Sequence, residues 1–351
     1  MRILFVSYPM LPVSAASCGG AEQMLWTLER EMAGRGHHTS VAGCERSQVS
    51  GTMIATGIAP TAVDAFEGRA EEHCGAVVQA ANSGEFDLVH DKSGFFWRHA
   101  GELTTPVLAT LHLPRTFYDR ALFDEIPPDL YFNCVSVSQA ESFRDLPSLA
   151  GVVPNGISVE RFPFKRNKSD FVLWMGRICP EKAPHLAMDA AERAGVRLVM
   201  MGQVYPFSWH QLYFNQEIRP RLDRTREAVT WLETPSFAEK VELLSKARAL
   251  LLPTLAPETS SLVAMEAMAC GTPVIAFPNG SIPEIVENGV TGILVSDVDE
   301  MAQAIAETGL SPEVARKVAE GKFSSKTMAD GYERLYSGIV NEAVPSTKSA
   351  A

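Results

Sequence analysis

At 351 residues, with 46% hydrophobic and 21% charged, the chain is long enough for two full cores and has the composition of a protein folded throughout. Its net charge is −11, and residues 1–155 hold ten Lys and Arg against eighteen Asp and Glu, so nucleic acid and anionic lipid are both disfavoured partners, although local basic patches leave peripheral membrane contact open. No uninterrupted run of about 18 apolar residues predicts a membrane span, and six scattered cysteines without a C-x-x-C pair predict neither disulfides nor a metal site, in a reducing cytoplasm.

Apolar residues 3–6 are too few for the core of a signal peptide and predict a first strand, 3–7, leading through the loop 9–20 into a helix at 21–35. Strand 39–42, a short strand within 52–65, helix 67–81 and strands at 87–90, 107–111 and 133–137 follow. Residues 151–156 close this half, and polar residues 165–170 read as a linker. The second half runs strand 171–175, helix 184–194, strand 197–201, helix 207–224, strand 229–232, helix 237–246 and strand 249–252. A short helix stopped by Gly271, strand 274–277, short helix 281–287, strand 292–295 and helix 299–308 complete it. A helical pattern at 326–340 precedes a tail, 341–351, expected to be disordered. Near-continuous apolar strands alternating with amphipathic helices predict two doubly wound α/β domains, 1–155 and 156–325, with ligands at the carboxyl ends of the strands.

The candidate chemistry lies on loops of that kind. The run 257–273 carries Glu258 just ahead of a helix and Glu266 on its otherwise apolar body, with Thr259, Ser260 and Ser261 able to cap free amides. Side chains on a helix tilt toward its N-terminus, so Glu266 leans toward the same end as Glu258. Two acids beside an anion hole suit a ligand with a phosphate and several hydroxyls, such as a nucleotide sugar. A buried Glu266 needs donors: the two hydroxyls of a ribose, or an internal ion pair with an Arg. Arg177 and Lys182 follow strand 171–175, and Lys182 lies near a positive helix end, where a cation is unfavourable by up to about 1 kcal/mol unless an anion is present. Together they could bind a diphosphate, or they could be surface charge partly offset by Glu181.

In the first half, Gly19 and Gly20 would let a phosphate approach the backbone, or merely make a flexible turn. The dinucleotide fingerprint G-x-G-x-x-G is absent, which leaves Glu45 as a surface residue. His112 could hydrogen-bond a sugar hydroxyl or be a structural histidine in an apolar loop, and His90 and Asp91 could face an acceptor. Asp297-Val298-Asp299 reads as a helix cap rather than a metal ligand.

These residues resemble the retaining glycosyltransferases of the GT-B fold, family four. The spacing of Glu258 and Glu266 followed by residues 267–276 looks like that family's main signature. Gly19 to Glu22, Val153-Pro154-Asn155-Gly156, Gly176-Arg177 with Glu181-Lys182, and residues 280–294 are similar to its other motifs. The resemblance implies two Rossmann-like domains facing a cleft, the first on the acceptor side and the second holding the nucleotide-sugar donor, with helix 326–340 crossing back onto the first. It implies that Arg177 and Lys182 neutralise the diphosphate without a metal or other cofactor. The amides at Ser261, Leu262 and Val263 would help cradle the diphosphate. Glu266 would bind ribose, and Glu258 and His112 the transferred sugar. Gly19 and Gly20 would close over the phosphates. Base contacts would come from loops near Gly202, Gln203, Leu232 and Thr234.

The implied reaction moves a sugar from a UDP-, GDP- or ADP-sugar to an acceptor hydroxyl with retention, giving an α-linked product. The acceptor would be a sugar, small molecule or glycan. The family commonly has Phe-Gly where this chain has Ser260-Ser261, which alters the room around the sugar 3- and 4-hydroxyls. A GT-B-fold nucleotide-sugar epimerase and a non-catalytic nucleotide-sugar-binding protein are the rival readings.

Overall fold

The computed structural model of the chain describes residues 1–17, 19–59, 66–225, 228–307 and 309–343. Cys18 and residues 344–351 of the expected tail lie outside them. The chain divides into two compact units, Met1–Gly156 with Ser325–Ala351, and Ile157–Ser324.

Unit 1 is built on seven parallel strands: β1 (Arg2–Val6), β2 (His38–Cys44), β3 (Thr52–Gly57), β4 (Leu88–Asp91), β5 (Val107–Thr110), β6 (Leu130–Cys134) and β7 (Leu149–Val152), in the order β3-β2-β1-β4-β5-β6-β7. Ile3, Leu4, Phe5 and Val6 are all buried. Successive strand residues point to opposite faces, so burial of every one means that both faces are covered. Helix α1 (Gly20–Gly34) buries Met24, Leu25, Leu28 and Met32 along one stripe. Helices α2 (Phe66–Ser83) and α3 (Val137–Ser142) follow. Ser325–Ala343, the last helix in the sequence and α12 here, belongs to this unit: Tyr332 and Tyr336 are fully buried, and Tyr336 Oη lies 2.6 Å from His90 Nδ1. Arg35, just past α1, pairs with Asp330 and Glu333, and His37 lies 2.8 Å from Glu333.

Unit 2 is a six-stranded parallel sheet of β8 (Phe171–Met175), β9 (Arg197–Met201), β10 (Val229–Leu232), β11 (Ala249–Leu252), β12 (Val274–Ala276) and β13 (Gly292–Leu294), ordered β10-β9-β8-β11-β12-β13. Its helices are α4 (Pro184–Ala194), α5 (Ser208–Tyr213), α6 (Arg219–Arg224), α7 (Phe237–Lys246), α8 (Leu262–Ala269), α9 (Ile282–Ile285), α10 (Val298–Ala306) and α11 (Pro312–Lys322). Val172, Trp174, Leu198, Met200, Leu251 and Ile275 form one packed layer with Met188 of α4 and Met301 and Ile305 of α10. Two Rossmann-like units are the architecture the strand–helix alternation predicts. Each sheet reverses its strand order once, between β1 and β4 in unit 1 and between β8 and β11 in unit 2, and such switch points open a crevice at the carboxyl ends. Among the described residues no helix is long and apolar enough to cross a membrane.

Local departures from the sequence reading have physical causes. The strand expected at 133–137 ends at Cys134, because the Ser136 hydroxyl accepts from Gln139 N and caps α3 instead. The helix expected at 207–224 is interrupted by a π-helical segment, Phe214–Ile218, just before Pro220, which has no N–H to continue the ladder. Three elements, β7, α3 and α11, are not among those expected from the sequence. Asp297 caps α10 through a bond from Glu300 N, 2.9 Å.

Candidate functional site

In unit 2 the loops after β8 and β11 flank the switch point. The β8 loop turns through a short 3-10 segment, Pro180–Lys182, into Ala183, whose φ of 44° lies in the left-handed region that a Cβ disfavours. Leu255 N donates to Glu181 O at 2.9 Å, which ties the two loops by backbone, and Lys182 Nζ is ion-paired with Glu258. The anion that the position of Lys182 calls for is therefore present in the protein itself. Arg177 is exposed, its guanidinium 5.9 Å from the Tyr205 ring centroid, and among the described residues it has no salt-bridge partner.

Helix α8 starts at the same place. Ser261 is its N-cap, accepting from Ala264 N at 3.4 Å, and the first-turn amides of Leu262 and Val263 have no acceptor within a helix. Glu266, one turn further in, is 3% exposed in a helix whose body from Ala264 to Ala269 is otherwise apolar and buried. Its Oε1 accepts from Lys240 Nζ of α7 at 2.7 Å, so the internal partner is a lysine rather than the arginine weighed from sequence. Glu266 Oε2 and Ser260 Oγ are buried without a hydrogen-bond partner. Buried polar atoms are rarely left so, and these two, one just ahead of α8 and one on its body, call for donors from a ligand or water. The backbone of Glu258 is held from the other side: Ser281 N donates to Glu258 O at 2.7 Å, and a Cβ on Gly280 would come within 2.2 Å of that oxygen.

The predicted base-contacting positions lie along the carboxyl edge of β8, β9 and β10. Gly176 N donates to Met201 O, Ile178 N to Gln203 O and Gly202 N to Leu232 O, while Thr234 is exposed beyond β10. A Cβ on Gly202, φ 144°, would sit 1.7 Å from Gly176 O, so the close approach of these backbones requires glycine.

The remaining candidates belong to unit 1. Gly20 opens α1. A Cβ on Gly19 would lie 1.9 Å from Glu22 Oε2, so the buried Glu22 carboxyl folds back over that glycine, and burial raises its pKa. His90 spends both ring nitrogens in packing, on Tyr336 Oη and, at 2.8 Å, on Thr110 Oγ1. Asp91 accepts from Ser93 N, Ser93 Oγ and Trp97 N, which closes the turn after β4. His112 lies just past β5 with its Nε2 buried. Desolvation, with the charge of Lys92 added, holds its pKa well below the usual value, so the ring is neutral at pH 7. Asn155 Oδ1 is buried without a partner at the end of this part of the unit.

Lys240 was not found from sequence. The only signal is its place on α7 beside Val241 and Leu244, which carries no hint of a carboxylate on the next helix, 26 residues on.

Residues 169–308 match the family model described as glycosyl transferases group 1. The D-inositol 3-phosphate glycosyltransferase of Mycobacterium bovis is 36% identical over 265 residues, which cover 63% of this chain and 54% of the relative. The enzyme of the same name from Mycolicibacterium paratuberculosis is 38% identical over 146 residues, covering 39% and 31%. The chain thus spans about a third to a half of the length of these relatives. Among solved structures, sucrose-phosphate synthase from Thermosynechococcus elongatus superposes with a TM-score of 0.78 at 20% identity, covering 97% of this chain and 99% of that one. Anabaena HepE, in complex with UDP and glucose, gives 0.73 at 20% identity, covering 96% and 100%. These likenesses establish the GT-B fold of two Rossmann-like domains.

Proposed function

We propose that the chain is a nucleotide-sugar-dependent glycosyltransferase, with the donor held by unit 2. The observation that carries this reading is the pair of unpartnered buried oxygens, Ser260 Oγ just ahead of α8 and Glu266 Oε2 on its body, in the segment whose Glu258 meets Lys182. Glu266 accepts from the ribose hydroxyls, with Lys240 fixing its other oxygen. Arg177, Lys182 and the α8 amides neutralise the leaving diphosphate, so the reaction needs no divalent ion on the phosphates. Glu258 binds hydroxyls of the transferred sugar, with Lys182 turning from Glu258 toward the phosphate when donor is present. The anomeric carbon–oxygen bond to the diphosphate breaks, and the acceptor oxygen bonds that carbon on the same face while its proton passes to the departing diphosphate oxygen, giving retention and an α-linked product.

The acceptor side is unit 1, where the neutral His112 can exchange hydrogen bonds with a sugar. The names of the relatives, and an acidic unit that repels anionic lipid, favour a small soluble polyol, polyol phosphate or sugar as acceptor. The test is release of nucleoside diphosphate from UDP-, GDP- and ADP-sugars with and without such acceptors, and NMR of the product's anomeric linkage. Release only with acceptor and an α-linkage support the reading; an isomerised donor without transfer overturns it.

A further inference from the structure

We propose that Cys179, Glu181 and His210 form a binding site for one thiophilic divalent cation, with zinc the best match. Cys179 and Glu181 come from the β8 loop and His210 from α5, and their ligand atoms all lie within 4.8 Å of one another. Donor atoms around tetrahedral zinc are about 3.3–3.7 Å apart, given bonds of about 2.0–2.3 Å, so side-chain rotations close the set.

Two further observations point to a ligand there. His210 is 2% exposed, and its Nδ1 is buried without a hydrogen-bond partner. Glu181 Oε2 is likewise buried and unpartnered. Among the described residues no hydrogen bond reaches either atom, whereas a metal ion would satisfy both at once. The Phe207 and Trp209 rings pack edge-on against the imidazole, with centroids 5.3 and 5.2 Å away.

The donor set selects the metal. A sulfur with one imidazole and one carboxylate suits zinc and its soft neighbours and is a poor match for magnesium or calcium. Thiolate and carboxylate together balance a 2+ charge. Binding releases the cysteine proton, and three protein ligands leave the fourth position to water. The ion would pin the loop carrying Arg177 and Lys182 to α5. This is separate from the diphosphate chemistry, which the proposed transfer accomplishes without a metal.

The whole chain, stripped with EDTA, desalted and titrated with Zn²⁺ and with Co²⁺ in the absence of any sugar nucleotide, tests the site without relying on catalysis. One zinc per chain by elemental analysis is expected, and a thiolate-to-cobalt charge-transfer band in the Co²⁺ form. Cys179→Ser is expected to abolish the band, and His210→Gln to weaken zinc binding by about tenfold or more. No stoichiometric zinc in the native chain, or a band of equal strength in Cys179→Ser, overturns the proposal. If Cys179→Ser fails to fold, unchanged zinc affinity in His210→Gln overturns it.

Discussion

Lys182 Nζ and Glu258, 76 residues apart in sequence, are ion-paired across the switch point of the second sheet. Each is mostly but not wholly buried, with 29% and 12% of the side chain exposed. The pair therefore has a modest structural value and a larger chemical one. Lys182→Ala is expected to cost about 1–2 kcal/mol of stability, because Glu258 loses its partner, and to lower turnover about 10²–10³-fold by removing charge at the leaving group. Adding Glu258→Gln to that variant should recover stability in urea unfolding but not turnover. Recovery of both would make the pair purely structural.

Glu266 and Lys240 form a more deeply buried pair, and its two halves should behave differently. Lys240→Met leaves a carboxylate that is 3% exposed without a cation, at an expected cost of about 3–5 kcal/mol. Glu266→Gln keeps the shape and removes the charge, so the fold should survive while nucleotide affinity falls about tenfold or more. Thermal melts with and without nucleoside diphosphate separate the two outcomes. Equal loss of stability in both variants would contradict the assignment.

Gly202→Ala places a methyl group 1.7 Å from Gly176 O at a φ of 144°. The backbone of the β8 loop cannot yield without moving Arg177, so the variant should lose about 2 kcal/mol or more of stability and most of its nucleotide binding. Gly195→Ala, also at positive φ but with nothing within 4 Å of its Cβ, should cost only the backbone term, roughly 1–2 kcal/mol, and leave binding intact. Calorimetric binding on both variants checks this.

Unit 1 should be acid-sensitive. His73 is fully buried against Thr56 Oγ1, 2.7 Å from its Nδ1, and burial followed by the charge of Arg69 lowers its pKa from 6.5 to about 4. Between those values the unfolded chain takes up a proton that the folded chain refuses, so stability falls as pH drops through the window, by up to about 1.4 kcal/mol per pH unit from this group. His90 and His112 are lowered by burial in the same direction. Urea midpoints should fall between about pH 7 and about pH 5, and His73→Gln should flatten the slope. A level profile in the native chain would contradict it.

Much of the second unit was legible because its strands and helices are bounded by strong local signals. Pro184 and Gly195 bracket α4, Ser236 with Glu239 makes a capping box on α7, and β8 and β11 are unbroken apolar runs. The first unit was less so where apolar residues straddle an element boundary. Val135 and Val137 look like strand residues, yet the Ser136 cap between them starts a helix. The Leu149–Val152 strand is short and half small residues, with no periodicity to betray it. At the candidate site, residue types and order in the sequence single out Arg177, Lys182, Glu258 and Glu266 as candidates, but hide their partners. That Lys182 meets Glu258, that Glu266 meets Lys240, and that His210 approaches Cys179 and Glu181 are facts of long-range packing. No spacing rule reaches across 26 to 76 residues.

In the proposed function the loops after β8 and β11 hold a nucleoside diphosphate by charge and hydroxyl contacts rather than through a divalent ion. Calorimetric titration of UDP, GDP and ADP into the native chain, Lys182→Ala and Glu266→Gln, in buffer without added divalent cation, tests it most directly. At least one of the three is expected to bind the native chain, and each substitution to weaken this binding by about tenfold or more, or about 1.4 kcal/mol. Absence of binding by all three, or equal affinity in the native chain and both variants, would contradict it.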